Sequence, residues 1–165
     1  MGRRFLVGIG RILVSLIFLV VGIASIYYWE IYQREFLGIL ANWEIYSTSN
    51  ELISLLVTRI NDSANIFLIL GVVLQIIGGI SLFFGFRVRI GAFLLLLYLI
   101  PANIIYHHFW FLQGDLFVQS FNLFLQNLAI IGALFLILSI GNGKNRLFNR
   151  ERKKPVIVDE FDEEN

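Results

Sequence analysis

Four long runs of apolar residues, each with few charges, constrain this chain more than any other feature. The runs cover residues 12–29, 64–86, 90–112 and 116–140. About 20 apolar residues in a helix cross a hydrocarbon core about 30 Å thick. A helix also satisfies its own backbone polar groups, which hydrocarbon cannot do. The runs therefore predict an all-α membrane protein, a four-transmembrane-helix bundle occupying residues 1–141.

The overall composition agrees with a membrane protein. Hydrophobic residues make up 58% of the 165-residue chain and charged residues 15%, whereas soluble domains have about 45–50% and about 25%. There is no cysteine, which excludes disulfides, thiolate metal sites and thiol chemistry.

The positions of Lys and Arg predict the orientation. They are concentrated near the N-terminus, in Arg87-Val88-Arg89 and between residues 144 and 154, whereas Arg34 and Arg59 fall on the opposite side of the predicted spans. Cytoplasmic loops carry the excess of basic residues. Both termini are therefore predicted to be cytoplasmic, and the loop between the first two spans to be outside.

The N-terminus has two interpretations. Basic residues, an apolar run and the small-residue triplet Gly22-Ile23-Ala24 are typical of a cleavable signal peptide. The apolar run continues to Trp29, however, which is long enough to cross the bilayer. We expect a retained first span, with a signal peptide as the alternative.

The first outer loop, residues 30–63, is amphipathic. Thr48 with Glu51 has the spacing of a capping box, and leucines follow it at helical spacing. An earlier piece from Phe36 to Trp43 shows similar periodicity. The loop is predicted to form short amphipathic helices, which either lie at the outer interface or fold over the bundle as a lid.

The C-terminal segment, residues 142–165, is basic and then acidic, with few apolar residues. This composition predicts a disordered cytoplasmic tail. Its basic run beside a membrane is expected to contact anionic lipid headgroups rather than nucleic acid.

Polar side chains inside the apolar runs are the candidates for ligand binding. Asn103 and His107 are four residues apart and would share one face of the third helix, while Gln126 and Asn127 enter the fourth helix at comparable depth. The alternative is that these groups only link helices by hydrogen bonds. His108 would point about 100° away from His107, so no metal site is predicted. No catalytic residue is predicted either.

Several short elements form a recognisable pattern across the four spans. They are Gly10-Arg11, Phe18 and Gly22 in the first span, Gly78-Gly79 in the second, Tyr106-His107 with Phe109-Trp110 after the third, and Asn127 to Ala129 in the fourth. This pattern, over about residues 5–141, resembles the DoxX family of small bacterial and archaeal membrane proteins. The family often has Lys where this chain has Gln126.

The DoxX resemblance implies a protein of the bacterial or archaeal cytoplasmic membrane. It further implies an auxiliary subunit of a quinone-linked redox complex, with a membrane redox protein as partner; a second copy of the chain is the alternative partner. If the polar cluster is a site, the chemistry of imidazole makes His107 a proton donor or a hydrogen-bond donor to a quinone-like headgroup. More distant relatives of that family resemble the Surfeit-type cargo receptors. A small transporter or cargo-binding protein is thus the second prediction, and a structural membrane scaffold the third.

Overall fold

The computed structural model of the chain describes residues 2–46 and 50–141. These residues form six α-helices and one short 3₁₀ turn, with no strand in the described part. The helices are α1 (Gly2–Tyr27), α2 (Trp29–Tyr46), α3 (Glu51–Asp62), α4 (Ala64–Phe84), α5 (Val88–Tyr106) and α6 (Gly114–Ile140), and the 3₁₀ turn is Phe109–Phe111.

Four stretches of helix are long and apolar enough to cross a membrane: Phe5–Tyr27, Ala64–Phe84, Val88–Phe111 and Gly114–Ile140. The prediction of a four-helix, all-α membrane protein is confirmed. The first span begins well before residue 12, because α1 continues through Arg11 without a break. The chain is a multi-pass integral membrane protein.

The four spanning helices pack as a series. Helix α1 lies against α4, α4 against α5, and α5 against α6, whereas α1 and α6 have little contact. Helix α5 supplies half of the buried core, since its apolar side chains face both neighbours. The core residues are Phe18, Leu82, Ala92, Leu95, Leu96, Leu99, Ile131 and Leu134.

Glycines bring α4 and α5 close together. A Cβ atom at Gly78 would lie 2.7 Å from Leu95 Cγ and 3.1 Å from the carbonyl oxygen of Gly91. A Cβ atom at Gly91 would lie 2.7 Å from Leu82 Cδ1. Small residues at such positions allow backbones in a membrane to approach, which increases the packing that holds the helices together.

The α4–α5 turn is tight, as its short length predicts, but it lies earlier than expected. It consists of Gly85 to Arg87, and α5 already begins at Val88 rather than at residue 90. Gly85 and Arg87 both have left-handed backbone conformations, with φ of 74° and 47°. The Ser81 hydroxyl of α4 donates to the Phe86 carbonyl, so a side chain of this helix satisfies one of the backbone carbonyls of the turn.

Two arginines lie at the C-terminal ends of spanning helices. The Arg11 guanidinium is packed against Gly85, just after the end of α4. Arg89 donates to the Ser139 carbonyl at 3.3 Å, and its side chain lies beside Gly141, just after the end of α6. Cations stabilise helix C-termini, where unpaired carbonyls concentrate negative partial charge. Both arginines therefore hold helix ends in place at the turn end of the bundle, the end that contains the α4–α5 turn.

The opposite end of the bundle, which we call the α2 end, is covered by α2. This helix is one continuous element of 18 residues rather than a short piece around residues 36–43. Phe36 and Leu40 are buried against Ala64 and neighbouring side chains. Trp43 Nε1 donates to the Ile105 carbonyl at 3.0 Å. Of the two arrangements predicted for this loop, α2 adopts the one that folds over the bundle.

Helix α3 is amphipathic, as predicted, but its cap differs. Asn50 is the N-cap, and its side chain accepts a hydrogen bond from the Ile53 amide at 3.4 Å. The predicted capping residue Thr48 lies outside the described residues. Val57 is buried, whereas the leucines that gave the periodicity are exposed on the outer surface. These exposed leucines are Leu52, Leu55 and Leu56.

The two ends of the chain differ in how much of them the structure describes. Helix α1 supplies Phe18 to the core and packs along α4, and retention of this span rather than cleavage as a signal peptide stays a prediction. The predicted disordered tail, residues 142–165, lies outside the described residues.

Candidate functional site

A cavity of about 720 Å³ lies beneath α2, in the half of the bundle nearest the α2 end. All six helices contribute to its wall, and we call it the α2 cavity. Most of the wall is apolar, which suits it to a hydrophobic ligand or part of one. Representative apolar residues of the wall are Phe18, Val21, Phe36, Leu68, Ala102 and Ile130.

Polar side chains gather at the α2 end of the cavity, and we call this polar end its mouth. They are Tyr32 and Glu35 of α2 with Tyr106 and His107 at the end of α5. Glu35 and Tyr32 are close enough to Tyr106 to interact with it electrostatically. The Tyr106 ring stacks on Phe36 with 6.0 Å between ring centroids. The mouth therefore combines one carboxylate with several aromatic rings.

A second polar group lies deeper. Gln75 is only 2% exposed and lines the cavity, and its Oε1 has no hydrogen-bond partner among the described residues. The Tyr98 phenol lies beside the Gln75 amide. Gly71 makes room for this ring, because a Cβ there would lie 3.1 Å from Tyr98 Cε2. Gln75 is about 16 Å along α4 from Ala64, at about 1.5 Å per residue, so this pair lies near the middle of the membrane.

The four candidate residues predicted from the sequence do not form one cluster. His107 and Asn127 line the α2 cavity. Asn103 is buried and donates from Nδ2 to the Phe124 carbonyl at 3.3 Å, so it links α5 to α6. Gln126 is exposed on the outside of α6. A ligand-binding role for these side chains stays a prediction, and only His107 and Asn127 are placed to contact the same ligand.

The two histidines have different environments from those that helical spacing predicts. Helix α5 ends at Tyr106, and His107 is the residue after it, with φ of −117°, so Asn103 and His107 do not share a helical face. His108 is buried, and its Nδ1 lies 3.1 Å from the Ile105 carbonyl oxygen. Its ring lies 5.7 Å from that of Trp43. His108 thus supports the end of α2 that covers the cavity.

Three residues of the cavity were missed by the sequence reasoning: Glu35, Gln75 and Tyr98. Gln75 carried a usable signal, because a polar side chain in the middle of an apolar span is informative by the same argument that selected Asn103. Glu35 carried none, since nothing in the loop sequence showed which of its charges would face the bundle.

The fold and the cavity define a class: a small multi-pass α-helical membrane protein with a mostly apolar cavity among its helices. Within that class, the model of the SURF4 family matches residues 50–155, more than half of the chain. The chain belongs to the SURF4 family. No characterised protein and no solved structure matches it significantly.

The family assignment corrects the DoxX resemblance, which is wrong. The elements that suggested it are glycines in spans, aromatic residues at span ends and a few interhelical amides. Bilayer physics favours these features in many four-helix membrane proteins, so they do not distinguish one family from another. The auxiliary role in a quinone-linked redox complex came from that resemblance and loses its support with it.

Proposed function

We propose that this protein is a binding protein of the membrane, which holds an amphiphilic molecule in the α2 cavity for transport or delivery. The observation that carries the proposal is the cavity itself. Its volume of about 720 Å³ lies within the range of about 300–1,000 Å³ that is typical of sites for one small ligand. This is the transporter or cargo-binding prediction, now attached to a particular site.

The distribution of polarity supports an amphiphilic ligand rather than a purely apolar one. The wall between α4 and α5 is mostly apolar, while the mouth carries Glu35, Tyr32 and His107. A molecule with a polar head and an apolar tail would match both regions at once. Its head would lie at the α2 end and its tail would point towards the middle of the membrane.

The outer surface of the spans supports entry from the bilayer. Phe67, Leu70 and Leu97 line the cavity and are also about half exposed on the outside of the helices. The cavity therefore extends to the surface that faces lipid. A membrane-dissolved ligand would enter between helices without passing through water, which avoids the cost of hydrating its tail.

The orientation is part of the proposal. Arg11, Arg87 and Arg89 lie at the turn end, which the positive-inside rule assigns to the cytoplasm. The α2 cavity would then open on the side of the membrane away from the cytoplasm.

The proposal can be tested with a brominated dodecanol and tryptophan fluorescence, because Trp29 is the one of the three tryptophans that lines the cavity. Bromine atoms quench a nearby indole, so titration of the protein in lipid nanodiscs should give saturable quenching. In Ala102→Phe the added ring enters the cavity. We expect about tenfold weaker binding, since overpacking costs about 1–3 kcal/mol and about 1.4 kcal/mol is tenfold in affinity.

The matched control is Ala129→Phe, because Ala129 is an exposed residue of α6 outside the cavity. It adds the same ring to the same kind of helix and should leave the titration unchanged. Quenching that never saturates, or equal effects of the two variants, would remove the α2 cavity as a binding site.

A further inference from the structure

We infer that the α2 cavity selects a single-chain amphiphile with a positively charged amine head, which pairs with Glu35 while its tail lies along the apolar wall. The inference rests on the proposed function and adds the chemical class of the ligand.

The charge of the cavity wall is the first argument. Glu35 is the one charged side chain among the described residues that line the cavity, and no Lys or Arg lines it. Its neighbour Arg34 is directed elsewhere, since Arg34 Nε donates to the Glu30 carbonyl at 3.3 Å. Charges of opposite sign across an interface favour the right partner, and like charges exclude the wrong one. An anionic head is therefore disfavoured.

The aromatic rings at the mouth are the second argument. Trp29, Tyr32, Phe36 and Tyr106 all line the cavity, and Tyr106 lies near Glu35, which is itself exposed. The face of an aromatic ring attracts a cation even at an exposed site. A carboxylate with such rings in the same cavity favours an ammonium group over a neutral hydroxyl.

The depth of the cavity is the third argument. The wall continues from the mouth to Gln75 and Tyr98 near the middle of the membrane. Because most of this wall is apolar, a ligand tail that fills it must be apolar over most of its length. A total volume of about 720 Å³ is in the range for one compact ligand. A single chain is consequently favoured over a two-chain phospholipid.

The experiment compares three amphiphiles that share a dodecyl tail: dodecyltrimethylammonium, dodecanol and dodecyl sulfate. Each competes with the brominated dodecanol in nanodiscs of zwitterionic lipid, and each affinity is expressed per mole fraction in the bilayer, which removes differences in partitioning. The expected order is ammonium, then alcohol, then sulfate. The ammonium should bind about threefold to tenfold more tightly than the alcohol, the range for a partly exposed ion pair with added cation–π contacts.

Glu35→Gln should remove most of the preference for the ammonium over the alcohol, leaving only the part due to the aromatic rings, while still binding both. Glu30→Gln is the matched control, because Glu30 is an exposed acidic residue of the same helix outside the cavity. It should keep the wild-type preference.

Two results would overturn the inference and leave the proposed function standing: equal binding of all three heads by the wild type, or a preference that is undiminished in Glu35→Gln. Failure of every dodecyl compound to compete in a saturable way would instead overturn the proposed function, so the two failures are distinguishable.

Discussion

Replacing Gly78 with Ala places a methyl group in the tightest contact between α4 and α5. The new Cβ would lie 2.7 Å from Leu95 Cγ and 2.8 Å from Leu95 Cδ2, whereas carbon atoms pack best at about 3.5–4.0 Å. Leu95 is fully buried, and the Gly91 carbonyl oxygen blocks the new methyl at 3.1 Å. Relief requires α4 and α5 to move apart by several tenths of an ångström or more.

The size of the effect follows from two opposing contributions. Overpacking of this kind costs about 1–3 kcal/mol. Replacing Gly by Ala within a helix gains about 0.5–1 kcal/mol, because the unfolded chain loses less backbone freedom on folding. These ranges differ by about 0–2.5 kcal/mol. Because the Gly91 carbonyl blocks relief of the clash, we expect the upper part, a loss of about 1–2 kcal/mol in the free energy of unfolding, measured by reversible denaturation with sodium dodecyl sulfate in mixed micelles.

Gly132→Ala is the matched control. Gly132 lies in the spanning helix α6, and a Cβ there would have nothing within 4 Å. This variant should be neutral or slightly more stable, so the same substitution has opposite signs at the two positions. A clear loss at Gly132 would show that its open face is covered, which a second copy of the chain would explain.

A double-mutant cycle with Leu95→Ala tests the cause. Leu95→Ala removes the atoms that the Gly78→Ala methyl would meet, and alone it costs about 2–5 kcal/mol through the cavity it leaves. The double variant should be more stable than the sum of the single effects predicts, by about 1 kcal/mol or more. Additive effects, or a Gly78→Ala variant as stable as the wild type, would refute the close approach of α4 and α5.

Four other expectations concern the two ends of the bundle, three from packing and backbone conformation and one from the orientation. Arg89→Met should lower stability by about 0.5–2 kcal/mol in the same denaturation assay, because α6 loses the cation at its C-terminus. Arg87→Gly should instead raise stability by up to about 1 kcal/mol, since a φ of 47° favours glycine over other residues. Trp43→Phe should lower the free energy of unfolding by about 1 kcal/mol, because the hydrogen bond to the Ile105 carbonyl is lost. It should also speed amide hydrogen exchange in α2. Unchanged exchange would show that Trp43 does not hold α2 on the bundle. A topology reporter inserted before Asn50 should report the outside and one fused to the C-terminus the cytoplasm, and reversed signals would refute the orientation.

The spans were predictable because hydrocarbon leaves the chain little choice. Any apolar run long enough to cross must be helical, so composition and length were sufficient. The start of the first span was predicted too late, because the charge of Arg11 was taken as the boundary of the apolar run. The structure shows how that charge is accommodated within the helix: the guanidinium lies against Gly85 at the end of α4, a partner that belongs to another part of the sequence.

The candidate site was harder to predict because it depends on which helices are neighbours. Spacing places a side chain on a face of its helix but does not say what lies opposite. Asn103 faces α6 and bonds to the Phe124 carbonyl, and Gln126 faces outward. The charge at the mouth, Glu35, comes from a loop whose docking on the bundle depends on tertiary contacts such as those of Phe36 and Leu40.

The serial packing of the spans has a consequence for biogenesis. Helix α1 is synthesised first, yet its main neighbour is α4, with α2 and α3 in between. During translation α1 must wait in the bilayer as an isolated segment, solvated by lipid or held by insertion machinery. The hairpins α4–α5 and α5–α6, in contrast, join segments that leave the ribosome in succession, so their contacts are local and quick to form. The docking of α1 can take place only once α4 has been inserted, and the α2 cavity, which needs walls from both, does not exist before that step.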